Sequence, residues 1–214
     1  MLSRIRPCAE TFSQWYDGQP LASQRYEVQL DGVRLHGRVD QIHPQGLIRL
    51  QAGAPGVAYV LRGGLDWLLV NAAGVPSSML QFHDDGQAGH GSHRLPELSP
   101  EAAQTALKAL LRLRSEGMQA PLLFAPYTGW EIYNADEDKR ENAAQARWFG
   151  SEHSWGERNG EALQLALRGT DPFASPSTTH RFIHNALLIF TALREGRVLP
   201  DFDAENDVMN GAGA

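Results

Sequence analysis

Between Gln24 and Gln51 the hydrophobic period is two, and two turn signals cut that run into three pieces. Arg25-Tyr26-Glu27-Val28-Gln29-Leu30 alternates polar with apolar, and Asp31-Gly32 is a strong two-residue hairpin signal. Val33, Leu35 and Val39 continue on the next strand, with His36, Arg38 and Asp40 on its opposite face. Pro44-Gln45-Gly46 turns the chain again, and Leu47 to Gln51 reads as a third strand. Alternation of this kind suits a half-buried pleated surface and no helix. It predicts a meander of three antiparallel strands.

The flanking segments read mostly as helices. Cys8, Phe12, Trp15 and Tyr16 recur at helical spacing before Asp17-Gly18-Gln19-Pro20, so residues 1–24 are expected to form a short helix and linker. Leu61 to Ala73 carries few charges and is expected to be a buried helix with Leu65, Trp67, Leu68, Leu69 and Val70 in the core. Met79 to His83, a turn at Asp84-Asp85-Gly86 and Ser92 to Leu95 suggest a second hairpin. Ser99-Pro100-Glu101 is a helix start, with an N-cap, proline at N1 and an acid in the first turn. That helix is expected to bury Ala103, Leu107, Leu110 and Leu111 and to stop at Gly117.

Ala120 to Pro126 reads as a strand or extended brace, and Asn134 to Phe149 as a charged helix capped by Asn134. Gly150 to Asn159 reads as a loop, and Glu161 to Arg168 as a short helix ended by Gly169. Thr179 to Arg194 is the last helix, and the acidic, then Gly/Ala-rich tail 200–214 is expected to be disordered. The resulting expectation is one α/β (α+β) domain over residues 25–199, a mixed sheet flanked by helices.

Bulk properties narrow the function. With 214 residues, 42% hydrophobic and 21% charged, the chain suits a globular protein with one good core. A net charge of −6 argues against coating nucleic acid through overall charge, but a local basic face remains compatible with it. Cys8 is the sole cysteine, which excludes an internal disulfide and a cysteine-rich zinc site. No apolar run reaches membrane-spanning length, and a cytoplasmic location is the expectation.

Several chemistries lack their residues. His83, Asp84, Asp85, His90 and His93 cluster in sequence, but their spacing matches no ligand pattern and reads as a polar turn. His180 and His184 lie one helical turn apart without a third ligand. There is no Gly-x-Ser-x-Gly elbow, no phosphate loop and no dinucleotide fingerprint.

The strand pair is more informative. A metal-dependent phosphodiesterase of the PD-(D/E)xK kind needs an acid at the end of one strand. It also needs a second acid and a lysine two residues apart on the adjacent strand, where alternate side chains share a face. Asp40 stands at the first place, Arg49 at the second acid's place and Gln51 at the lysine's. One carboxylate beside a guanidinium is a salt bridge in waiting, so Asp40 and Arg49 are expected to be partners and the core to be catalytically degenerate.

The run Glu116-Gly117-Met118-Gln119-Ala120-Pro121-Leu122-Leu123, after a helix and before an aromatic segment, resembles the C-terminal domain of RecC, the gamma chain of exodeoxyribonuclease V. Arg49-Leu50-Gln51-Ala52-Gly53, in place of a nuclease's Asp-Tyr-Lys-Thr-Gly, supports the resemblance. So do the segments Ala143–Gly150 and Glu161–Phe173, and the likeness spans residues 25–195.

The resemblance implies a nuclease-like PD-(D/E)xK fold without catalysis, metal or cofactor. It implies a scaffold and DNA-handling role in the RecBCD helicase-nuclease of double-strand break repair and recombination, with RecB, RecD and DNA as partners and RecD as the docked subunit. Lys108, Arg112 and Arg114 on the basic half of a helix, with Trp130 and Tyr133, are the candidate DNA- or partner-binding residues. Two alternatives stay open. One is an active Mg²⁺-dependent nuclease using Asp40 with Glu27 or Asp66. The other is a freestanding protein–protein adaptor.

Overall fold

The computed structural model describes residues 20–51, 56–84 and 90–200, together with positions 6, 10 and 13. The N-terminal helix proposed for residues 1–24, the turn after Asp84 and the tail lie almost wholly outside the described residues. The chain divides into two compact units. The first comprises residues 1–108 and 193–196, and the second 109–192 and 197–214.

In the first unit, β1 (Gln24–Leu30) and β2 (Val33–Val39) form the hairpin that the Asp-Gly signal requires. Asp31 and Gly32 take φ of 47° and 83°, the paired positive values of the turn whose twist matches that of its strands. Tyr26, Val28 and Leu30 alternate inward along β1. On β2, Gly37 lies so close to α1 (Val57–Ala72) that a Cβ there would stand 2.7 Å from the Leu69 side chain.

The expected three-stranded meander does not form. β2 ends at Val39, and Gln41 takes φ 59°, a left-handed value that no strand accommodates. The chain thereby leaves the hairpin, which remains a separate two-stranded sheet. It enters a four-stranded sheet ordered β3-β4-β5-β6, with β3 Ile42–His43, β4 Gly46–Gln51, β5 Met79–Asp84 and β6 His90–Leu95. β3 and β4 are antiparallel, β4 and β5 parallel, and β5 and β6 antiparallel. The mixed sheet is as expected, and α1 is the crossover that the parallel pair demands.

Helix α1 starts four residues earlier than its hydrophobic pattern suggested, at Val57. Trp67, Leu68 and Val70 are buried, but Leu65 is 46% exposed because it falls on the outer face. Two mid-helix glycines give close approach at the expense of helix propensity. A Cβ on Gly63 would meet the Gln81 amide at 2.7 Å, and one on Gly64 the Leu193 carbonyl oxygen at 2.5 Å. At the end of α1, Asn71 is fully buried and fully used. Its amide donates to the Trp67 and Ser77 carbonyls, and its oxygen accepts from the Ser77 and Leu98 N–H groups.

Helix α2 (Pro100–Gln119) begins as expected, with the Ala102 N–H donating to Ser99 Oγ. It runs through Gly117, which keeps negative φ, and stops before Ala120-Pro121, where the proline disfavours helix in the preceding residue. Its buried face includes Ala103, Ala106, Leu107, Ala109 and Leu113, whereas Leu110 and Leu111 are half-buried.

The second unit is helical. After the extended segment 121–125 come α3 (Pro126–Asn134), a 3₁₀ turn (Glu137–Lys139), α4 (Arg140–Phe149), a 3₁₀ turn (Glu157–Asn159), α5 (Glu161–Leu167) and α6 (Pro176–Glu195). Leu123, Ile132, Ala144, Trp148, Leu167, Phe182 and Ala186 form its core. Asn134 ends α3 instead of capping a longer helix, because Ala135 is already extended at φ −83°, ψ 148°. Arg168 and Gly169, both at positive φ, end α5 where the sequence placed its stop.

Candidate functional site

The first unit holds an open cavity of about 470 Å³. Asp40, Arg49 and Gln51 all line it, so the three positions singled out by strand spacing do converge. Arg49 and Gln51 reach it from the same face of β4, and Asp40 from the break between the two sheets.

The opposite wall is α1. Tyr59, Arg62, Gly63 and Asp66 line the cavity at helical offsets of 0, +3, +4 and +7, which is one helix face. Sequence reasoning had named Asp66 as an alternative acid but missed Tyr59 and Arg62. The signal was there, as a polar stripe in a helix otherwise almost without charge. Arg38 of β2 also contributes to the lining.

Arg49 is the centre of the arrangement. One terminal nitrogen donates to the Asp40 backbone carbonyl at 2.7 Å, and the other to Asp66 Oδ2 at 2.6 Å. The expected pairing is therefore corrected in one respect. Arg49 holds the carbonyl of Asp40, and its carboxylate partner is Asp66. Asp40 itself is exposed, and it lines the cavity without pairing to Arg49 through its carboxylate.

Burial raises the Asp66 carboxyl above its usual range. The Arg49 charge and hydrogen bond pull it back, and the Asp40 charge pushes it up again. Desolvation thus outweighs pairing even at 2.6 Å, as expected when one partner's side chain is 14% and the other's 31% exposed. Tyr59 is pushed up to about 12, chiefly by burial, against the lowering influence of Arg49 and Arg194. Its hydroxyl is buried without a hydrogen-bond partner among the described residues. His43, 3% exposed, is held below the usual imidazole value by burial and then by Arg49.

A divalent cation does not fit these residues. Mg²⁺ needs several oxygen ligands in near-octahedral array, and of the two carboxylates in the lining Asp66 is already bound by the Arg49 guanidinium. Among the described residues no three His, Cys, Asp or Glu side chains gather as a ligand group. Glu27, the other acid considered for a nuclease, is absent from the cavity lining and stands 3.9 Å from Arg34 on the exposed hairpin. His180 is exposed and His184 buried, so that pair does not act as one site.

The remaining candidates belong to both units. In the first unit Lys108 is paired with Asp31 at 2.7 Å. In the second, Arg112 lies 3.6 Å from Glu116, and Arg114 is exposed. Trp130 and Tyr133 are half-buried, stacked on each other at 5.7 Å and against Phe190 at 5.2 and 5.8 Å, as packing residues would be. The second unit exposes other rings. Arg147 lies over Tyr127 and Trp155 at 5.1 and 5.9 Å, and Arg158 over Phe149 at 4.9 Å.

Comparison with known proteins adds what geometry alone does not give. A model of the RecC C-terminal domain matches residues 1–137. The chain belongs to the RecC C-terminal domain family. The matched span contains both sheets, the whole cavity and the Glu116–Leu123 run, and stops short of Ala143–Gly150 and Glu161–Phe173. The RecBCD enzyme subunit RecC of Escherichia coli (strain K12) is 33% identical over 125 residues, which is 56% of this chain and 11% of that protein. The chain thus spans about a tenth of the length of the curated relative it matches. Among the described residues no helix is long and apolar enough to cross a membrane.

Proposed function

We propose that this chain is a scaffold and DNA-handling domain of a RecBCD-type helicase-nuclease, with a degenerate PD-(D/E)xK core and no catalysis of its own. The supporting observation is the Arg49 guanidinium, bound between the Asp40 carbonyl and the Asp66 carboxylate where a nuclease would need a second acid. A fixed internal cation repels a divalent one and occupies the oxygen atoms it would use. In this reading the domain docks the RecD-type subunit, works beside the RecB-type subunit in the cytoplasm, and meets DNA during break repair and recombination. Membership in the family supports the complex, and the particular contacts are part of the proposal.

Co-purification with RecB- and RecD-type subunits tests the assembly. Failure to recover a complex at micromolar concentrations would count against it. The convergence of Asp40 and Asp66 on one cavity favours a second reading, an active Mg²⁺-dependent nuclease. Plasmid degradation in Mg²⁺ or Mn²⁺ that disappears in Asp40→Ala would establish that reading, and inactivity of the purified wild-type chain would retire it.

A further inference from the structure

The cavity holds more positive charge than its internal pairing uses. Three guanidiniums, Arg38, Arg49 and Arg62, face two carboxylates, Asp40 and Asp66, so the lining carries 3 − 2 = +1. Arg49 and Asp66 cancel each other at 2.6 Å. What remains is Arg38 and Arg62 against Asp40. Arg38 donates through Nε to Ser23 Oγ, which leaves its two terminal nitrogens for another acceptor. Arg62 is exposed and has no partner among the described residues. Two under-used arginines beside one cavity cost mutual repulsion, and a bound anion would relieve it.

Resting on the DNA-handling reading above, we infer that the cavity grips one phosphodiester group of a nucleic-acid strand through Arg38 and Arg62, without a metal and without cutting it. Charge supports this ligand, since a phosphodiester carries one negative charge and the lining one positive. Donor geometry supports it too. A guanidinium presents a planar fork of N–H groups to two phosphate oxygens, and two such forks can share the pair of non-bridging oxygens. Size selects a nucleotide unit over a bare anion, because about 470 Å³ lies within the range of roughly 300–1,000 Å³ that holds organic ligands. Arg49 then has a defined part. It screens Asp66 from the strand and thereby removes one of the two repulsive charges.

The test uses the full chain and a fluorescein-labelled oligothymidylate, with anisotropy followed over a KCl series in EDTA. Wild type is expected to bind without divalent ions. Arg38→Ala with Arg62→Ala is expected to lower the slope of log affinity against log salt by about 0.7, the share of one lost phosphate contact on a single strand. Arg38→Lys with Arg62→Lys should restore most of that slope. Asp40→Asn removes the facing carboxylate and should raise low-salt affinity by roughly threefold, a gain that misfolding does not produce.

An unchanged salt slope in the double alanine variant, with no gain in Asp40→Asn, overturns the cavity assignment while leaving DNA handling elsewhere on the chain intact. Absence of any strand binding by folded wild type overturns both. Displacement of the strand by inorganic phosphate well beyond that by sulfate at equal ionic strength would make the cavity a free-phosphate site and overturn the strand assignment.

Discussion

Replacing Arg49 by methionine separates the internal-cation account from a merely spatial one. The substitution keeps length and apolar bulk but removes two hydrogen bonds, to the Asp40 carbonyl and to Asp66 Oδ2. A hydrogen bond to a charged group contributes roughly 1.5–3 kcal/mol, and stripping one partner from a buried pair costs about 3–5 kcal/mol. Asp66 keeps 31% of its side chain in contact with solvent, so the burial-based figure must be discounted by about half. The expected loss for Arg49→Met is about 2–3 kcal/mol.

Most of that loss is the cost of an unpaired, half-buried carboxylate, and neutralising it should return part of the loss. Asp66→Asn added to Arg49→Met is expected to restore about 1–2 kcal/mol. The measurement is urea unfolding followed by far-UV circular dichroism, comparing midpoints at constant slope. An Asp66→Asn change that leaves the Arg49→Met variant no more stable, or less so, would refute the reasoning, because it would mean that Asp66 does not depend on Arg49 for its charge.

Three other perturbations follow from the same geometry. Tyr59 has its folded value raised to about 12 from 10.0, so its contribution to stability is complete below pH 10 and is lost as pH rises toward 12. Alkaline unfolding monitored at 295 nm should therefore be shallower in Tyr59→Phe, and that variant should cost little at neutral pH because its hydroxyl has no partner among the described residues. Asn71→Ala leaves three buried backbone groups and one part-buried one without their amide partner and should cost about 3 kcal/mol in the same urea assay. In the second unit Glu157, 4% exposed, accepts from the Tyr127 and Thr128 N–H groups and the Thr128 hydroxyl. Glu157→Ala should cost about 3 kcal/mol and accelerate amide exchange at the start of α3.

What the sequence made legible depended on whether local chemistry was sufficient. Asp31-Gly32 carries its own backbone preference, and Ser99-Pro100 its own cap, so both were readable without tertiary context. The exit from β2 was not. Gln41 at φ 59° has no residue signature, and alternation on both sides of it looks the same whether one sheet continues or a second begins. Gly117 misled for the opposite reason. A glycine signals a helix stop through its freedom at positive φ, and here that freedom is unused because the chain turns back at Pro121, with Leu122 Cβ only 3.2 Å from where a Gly117 Cβ would sit.

The candidate site divides along the same line. Two-residue spacing on one strand was enough to place Arg49 and Gln51 on a shared face, since that relation is local. The identity of Arg49's partner was not local. Asp40 stands nine residues before Arg49 and Asp66 seventeen after it, and only the parallel crossover brings α1 against β4. Seen as a helix by itself, α1 offers Arg62 and Asp66 as two stray charges in an apolar run. Folded over β4, they become the far wall of the cavity, one neutralising Arg49 and the other left facing open space. Arg49 on β4 therefore does not stand alone. A guanidinium half-buried at position 49 needs a carboxylate opposite to receive it, and Asp66 supplies that carboxylate.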